Sequence, residues 1–210
     1  MLTATLIGDV VASRRAGDRA DLHDRLMAVL DQVNQTCAPS TPLRITVGDE
    51  FQGAFGSVGQ AVRASLRLRL GMLPAHDVRH GLGWGEVHVL QEEPRVEDGP
   101  GWWAARDAIH AVQRAQEHPA TRYRRTVYRS AEDAAGPDAD LLDAALTLRD
   151  AAVGALAERS LSVLRGLLEG RTQRELADEL GISPSAVSQR VRADALGALV
   201  DADRTLGRVS

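Results

Sequence analysis

"ITVGDEFQGAF", residues 45–55, reads as an apolar run, a Gly-Asp-Glu tip and a second apolar run. Two short β-compatible stretches around a Gly-containing tip predict a tight hairpin. Gly and Asp are common turn residues, so Gly48 and Asp49 have a plain structural reading. The tip also carries two adjacent acids, Asp49 and Glu50, which can serve a turn or hold a ligand.

On the N-terminal side, "TATLIGDVVAS" is a β-rich apolar run that reads as a buried strand. Leu22, Leu26, Val29, Leu30 and Val33 then recur at helical spacing, predicting an amphipathic helix over 20–36, broken by "CAPSTP". On the C-terminal side, "SVGQAVRASLRLRLGML" is helical, with Val58, Ala61, Val62, Leu66 and Leu70 as its apolar stripe. Its Arg63, Arg67 and Arg69 are expected on a solvated face. "DVRHGLGWGEVHVL" is strand-like but Gly-interrupted, "WWAARDAIHAVQRAQ" is helical after "EDGPG", "RRTVYRS" is a short strand, and "ADLLDAALTLRDAAVGALAE" is a helix running into the tail.

The first six elements run βαββαβ. This order predicts an α+β, ferredoxin-like domain over 1–137, with an antiparallel sheet and its helices on one face. A connecting helix follows over 138–157, then a C-terminal helix-turn-helix over 158–210. The first and second strands are expected as neighbours, which brings Asp9, at the end of "TLIGD", beside Asp49. Two carboxylates ~4 Å apart repel by about 4 kcal/mol at an effective dielectric of 20. Such a pair calls for a shared proton or a cation, and Mg²⁺ or Mn²⁺ with a phosphate ligand is the usual solution. Arg106 offers another: it can pair with Asp49 or Glu50 as a structural ion pair. Asp9 can also cap the segment that follows it.

The tail carries the clearest local pattern. "RSLSVLRGLLEG" is a helix ended by Gly170, and Thr172 and Glu175 form a capping-box pair opening "TQRELADELG". Ser183 is the expected N-cap and Pro184 the first residue of a last helix running through "ALGALV". If the tail binds DNA, Ser185, Ser188, Gln189 and Arg192 are the candidates to reach bases, and Arg174 and Arg190 to meet phosphates. Residues 159–210 hold 8 Arg against 7 acids. That near-neutrality favours the alternative, a helical hairpin that only docks on the main domain or on a partner.

All 25 basic residues are Arg, so no Schiff-base or P-loop lysine exists, and anions must be met by Arg, backbone amides, helix N-termini or metal. Cys37 is the one cysteine and forms no internal disulfide. No apolar run of membrane-spanning length and no signal-peptide pattern occurs, so a cytoplasmic location is expected. His80 and His88 lack a third metal-type partner and read as packing or surface residues. Trp84, Trp102 and Trp103 read as core, with a stacking surface for a base as the alternative.

"LIGDVVASRR", "TVGDEFQGAF", "VRHGLGWGEV" and "GPGWWAAR", with the tail pattern, resemble the SatD family along nearly the whole chain. Residues 3–130 are also distantly similar to class III nucleotide cyclase catalytic domains, which share a palm-like βαββαβ core. That resemblance implies metal ligands at Asp9 and Asp49, a strand matched by Arg79, Gly81 and Gly85, and a transition-state arginine at Arg106. The resemblance also implies a homodimer. Apart from it, Arg14 and Arg15, just past the first strand, are placed to face phosphates, and Val10, Gly48, Glu50, Arg79 and Trp102 are the other candidate ligand contacts. The chain departs from the cyclase pattern where Trp102 replaces an Asn, where the purine-selecting Lys is missing, and where "VVASRR" follows Asp9. The expectation is a DNA-binding regulator whose N-terminal domain takes a nucleotide or another phosphate ligand. A metal-dependent nucleotide-processing enzyme and a non-catalytic scaffold are the alternatives.

Overall fold

The computed structural model describes residues 1–13 and 19–210. Arg14 and Arg15 lie outside the described residues. The chain runs β1 (Leu2–Val10), α1 (Arg19–Cys37), β2 (Thr41–Val47), β3 (Glu50–Phe55), α2 (Val58–Met72), β4 (Val78–Glu86), β5 (His88–Gln91), β6 (Val96–Asp98), α3 (Pro100–Gln116) and β7 (Thr126–Ser130). Helices α4 (Ala139–Gly154), α5 (Glu158–Leu168), α6 (Gln173–Leu180), α7 (Pro184–Ala193) and α8 (Leu196–Leu206) follow. No helix among the described residues is long and apolar enough to cross a membrane.

The main sheet has the order β2-β3-β1-β4-β7, antiparallel except for the parallel β4–β7 pair. This corrects the expected neighbourhood of β1, which lies between β3 and β4 rather than beside β2. The consequence for the site survives. β3 starts where β1 ends, with Gly8 opposite Phe51, so the hairpin tip still reaches Asp9 and Val10. The tip is a two-residue turn, since Val47 faces Glu50, and Gly48 takes the positive φ of 64° that favours glycine there.

The helices are not all on one face. Leu6 and Val10 of β1 pack with α1 and α2, and Leu142 and Leu146 of α4 join that core. Ile7 faces the other way, against Trp102, Ala105 and Ile109 of α3. Alternation along β4 explains how α3 gets so close. Val78, His80, Leu82 and Trp84 are buried, while Gly81, Gly83 and Gly85 present bare backbone to α3. A Cβ on Gly81 would collide with Ala105 O, one on Gly83 with Gly101 O, and one on Gly85 would sit 2.7 Å from Gly101 N. Thr5 Oγ1 donates to Gly101 O at 2.8 Å and ties the start of α3 to β1.

Helix α2 is buried on several sides. Arg69, expected in solvent, is 2% exposed. It pairs with Asp77 at 2.8 Å and donates to Asp150 O at 2.9 Å, because α4 packs where the solvated face was expected. Arg67 is drawn to Asp203 of α8 at 3.1 Å. Leu66 and Leu70 of α2 and Val153 of α4 belong to the hydrophobic core of the C-terminal helices. The strand-like stretch from Val78 ends at Glu86, and β5 and β6 form a separate small hairpin. The last helix is broken at Ala195, whose φ of 50° ends α7 before α8 begins.

Candidate functional site at the edge of β1, the β2–β3 hairpin and α3

Asp9 projects from the end of β1 toward α3. Its carboxylate is gripped by Arg79, directly across the ladder, with Nε on one oxygen at 2.6 Å and an Nη on the other at 3.1 Å. Gln113 of α3 adds a third donor at 3.0 Å. Burial pushes the Asp9 carboxyl above its ordinary range, only partly offset by Arg79 and Gln113, and the nearby Asp49 charge pushes the same way.

Asp49 reaches back from the turn, and its Oδ2 accepts from Val10 N at 3.1 Å. The two acids therefore converge, with Asp49 anchored on the residue next to Asp9. Glu50 takes the other arginine: Arg106 of α3 donates to its two oxygens at 2.6 and 2.9 Å. The Arg106 bonds hold the Glu50 carboxyl below its usual range, and Glu50 in turn raises Arg106. Of the two acids offered to Arg106 by the sequence, Glu50 is its partner.

The expected metal pair meets a specific obstacle. Both oxygens of Asp9 are already occupied by N–H donors. Among the described residues no three His, Cys, Asp or Glu side chains gather as metal ligands. As arranged, these residues fit an arginine–carboxylate cluster and do not fit a resident metal ion.

The match to the family model of the SatD family runs over residues 3–205. The chain belongs to the SatD family. No curated protein matches this SatD chain. Among solved structures it is similar to the guanylyl cyclase domain of a fusion protein from the aquatic fungus Blastocladiella emersonii, at 15% identity and a TM-score of 0.44, over 52% of this chain and 74% of that one. It is also similar to a bacterial light-regulated adenylyl cyclase, at 13% identity and a TM-score of 0.46, over 61% and 43% of the two chains. A third is the adenylyl cyclase CyaB from P. aeruginosa, at 13% identity and a TM-score of 0.39, over 50% and 69%.

In the SatD chain the other candidate residues are distributed unevenly. Gly48 and Val10 lie beside the two acids. Trp102 is buried with Ile7, Ala54 and Ile109, and its indole N–H has no partner among the described residues. Trp103 is 57% exposed and donates to Asp98 at 2.9 Å. Trp84 is buried and donates to Ala135 O. On the C-terminal helices Arg174, Ser185, Gln189 and Arg192 are exposed, and Ser188 and Arg190 are half-buried, far along the chain from the acids. Sequence reasoning missed Gln113 and Gln116. Gln113 lies seven residues after Arg106, on the same helix face, and Gln116 accepts from Arg79 at 3.3 Å. Helical spacing from Arg106 was the signal that could have found Gln113.

Proposed function

We propose that the edge formed by Asp9, Asp49, Arg79 and Arg106 binds a phosphate-bearing ligand, a nucleotide in the first instance. One observation carries the reading: two guanidinium groups, Arg79 and Arg106, come to one half-buried edge, each held by a single carboxylate. Arginine binds phosphate through the same forked geometry it uses for carboxylate, so a phosphate can replace either acid as partner. Gln113 and Gln116 keep the alternative partners in place. Asp9 and Asp49 would hold a divalent metal such as Mg²⁺ or Mn²⁺ only after Arg79 leaves Asp9, so a metal enters with the phosphate and not before it. Nothing in this reading requires catalysis.

A second reading concerns the tail, in which α6 and α7 form a helix-turn-helix that meets DNA. What supports it is the exposed side of α7. Ser185, Gln189 and Arg192 are exposed, and the helix has no acidic residue from Pro184 to Ala193. The capping box of Thr172 with Glu175 and the left-handed Gly181 shape the corner. The whole is then a regulator with a ligand edge and a reader helix.

Calorimetric titration of ATP, GTP, CTP and UTP, with and without Mg²⁺, tests the first reading. Saturable binding is expected, tighter with Mg²⁺, and Arg106→Gln should weaken it about tenfold or more, the loss of a charge-assisted bond. Equal affinity in wild type, Arg79→Gln and Arg106→Gln would remove the site. Fluorescence anisotropy with the chain's own upstream DNA tests the second. Salt-sensitive binding that Arg192→Ala reduces is expected, and no binding at low salt, with or without nucleotide, refutes it.

A further inference from the structure

Helices α1 and α2 cover the sheet face opposite α3, and between them and α5 lies a cleft of about 520 Å³. That is within the range of about 300–1,000 Å³ typical of small-molecule sites. Val33 and Leu70, both buried, and Leu168 give it an apolar wall. Arg63, Arg67 and Arg165 line it too, and Glu169 is the one acid on its wall among the described residues. The chain as a whole has a net charge of −4, so this cationic cleft runs against the bias of the molecule. The arginines also outnumber the carboxylates that serve them. Arg63 and Arg67, one turn apart on α2, share the buried Asp203 at 3.6 and 3.1 Å. Arg165 donates to Leu70 O and Leu73 O at 2.8 and 2.6 Å, and Arg25 donates to Gly71 O and Leu73 O at 2.8 and 3.3 Å. Among the described residues these two guanidinium groups hydrogen-bond only to carbonyls, and they meet on one of them. Glu169 is already taken by Arg171 at 2.5 Å. Burial and the neighbouring Arg25 charge push Arg165 below its ordinary range.

We propose that this cleft binds a small organic anion, with a carboxylate or phosphate head on Arg63 and Arg67 and an apolar body against Val33, Leu70 and Leu168. One carboxylate serves two guanidinium groups here, and a second anion gives each arginine a partner of its own through the forked geometry both head groups accept. Arg63 is within reach of such a head, since its side chain is 49% exposed while Asp203 is 5% exposed. The two kinds of wall select the class of ligand. An inorganic anion leaves the apolar residues in water, and a neutral apolar molecule desolvates the guanidinium groups without pairing them. A cleft with low-dielectric walls and an excess of one sign of charge also concentrates its field on an incoming counter-charge. The cleft shares no residue with the edge at Asp9. Its walls come from α1 and α2 on one side and α5 on the other, so a bound anion ties the C-terminal helices to the sheet domain and adds thermal stability.

Cys37 lines the same cleft and is the chain's one cysteine, so its alkylation by iodoacetamide, followed by mass spectrometry, reports occupancy. The probes are octanoate, octyl phosphate, octanol and inorganic phosphate, each added to the full chain without nucleotide. Octanoate or octyl phosphate at about ten times its dissociation constant should slow alkylation about tenfold and raise the melting temperature, and the tighter of the two identifies the head group. Octanol and inorganic phosphate at the same concentrations should do neither. Arg63→Gln, at an exposed side chain and with Arg67 left on Asp203, should weaken the better probe at least about tenfold while circular dichroism stays the same. Gln60→Trp, exposed on the cleft wall, should weaken it by filling the space without removing a charge. The readout is local to Cys37, so failure here leaves the edge of Arg79 and Arg106 untouched. Alkylation that no probe slows, octanol as effective as octanoate, or equal affinity in wild type, Arg63→Gln and Gln60→Trp would each overturn the proposal.

Discussion

His80 is fully buried on β4, and neither ring nitrogen has a hydrogen-bond partner among the described residues. Its ring stands edge-on to Phe51 with centroids 6.0 Å apart. Burial pushes its pKa down to about 3, Arg149 and Arg69 add to the effect, and Asp77 opposes it. The unfolded chain takes up a proton near the ordinary 6.5 while the folded protein does not until about 3. Stability from this group is therefore complete above 6.5 and lost as pH falls toward 3, at up to about 1.4 kcal/mol per pH unit. Urea unfolding at pH 7 and pH 5 should show about 2 kcal/mol less stability at the lower pH from this residue, and His80→Leu should remove that part of the slope. A slope unchanged in the variant would place the acid sensitivity elsewhere. From the sequence, His80 reads as a packing or surface residue. The sequence did not show a dry, neutral imidazole, because that depends on which side of the strand faces α2 and α4. Arg106 was readable as an ion-pair partner of the hairpin acids, whereas the grip of Arg79 on Asp9 required the β1–β4 register.

At the scale of elements, the alternating glycines of β4 are the sharpest case. In "VRHGLGWGE" they look like interruptions of a strand, yet they are the reason α3 can lie on it. Gly83→Ala would drive a methyl into Gly101 O and Ala105 N, backbone groups that cannot step aside without lifting the helix. It should cost at least about 2 kcal/mol, measured by chemical denaturation, and shift Arg106 away from Glu50. A variant as stable as wild type would mean that α3 is held less tightly than the contacts imply. The order and type of the long elements were legible from periodicity, and so were the caps: Thr172 with Glu175, and Ser183 on Ala186 N. The α7–α8 break was not. It falls on Ala195 in a left-handed conformation, and alanine carries no mark of that conformation in the sequence.

For the whole molecule, the decisive fact is that α2 belongs to two cores. Leu68 and Met72 pack under the sheet, while Leu66 and Leu70 pack with α5–α8. Arg165 of α5 caps the end of α2 by donating to Leu70 O and Leu73 O at 2.8 and 2.6 Å, and Asp203 of α8 holds Arg67. A chain ending at residue 157 therefore exposes Leu66 and Leu70, a loss of about 3–6 kcal/mol of burial. It should melt well below the full chain and aggregate on gel filtration. A monomeric fragment with an unchanged melting temperature would establish 1–157 as an independent unit.

Local chemistry was enough for the hairpin at "TVGDEF", the strand that ends in Asp9, the helices with regular stripes and the caps of the tail, since each depends on residues within a few positions of one another. The partners of Asp9 and Glu50 and the burial of Arg69 were settled only by packing. They join residues up to 104 positions apart, as Gln113 does to Asp9. A guanidinium in sequence looks the same whether it ends in water, on a carboxylate or against a helix end, and long-range burial decides which.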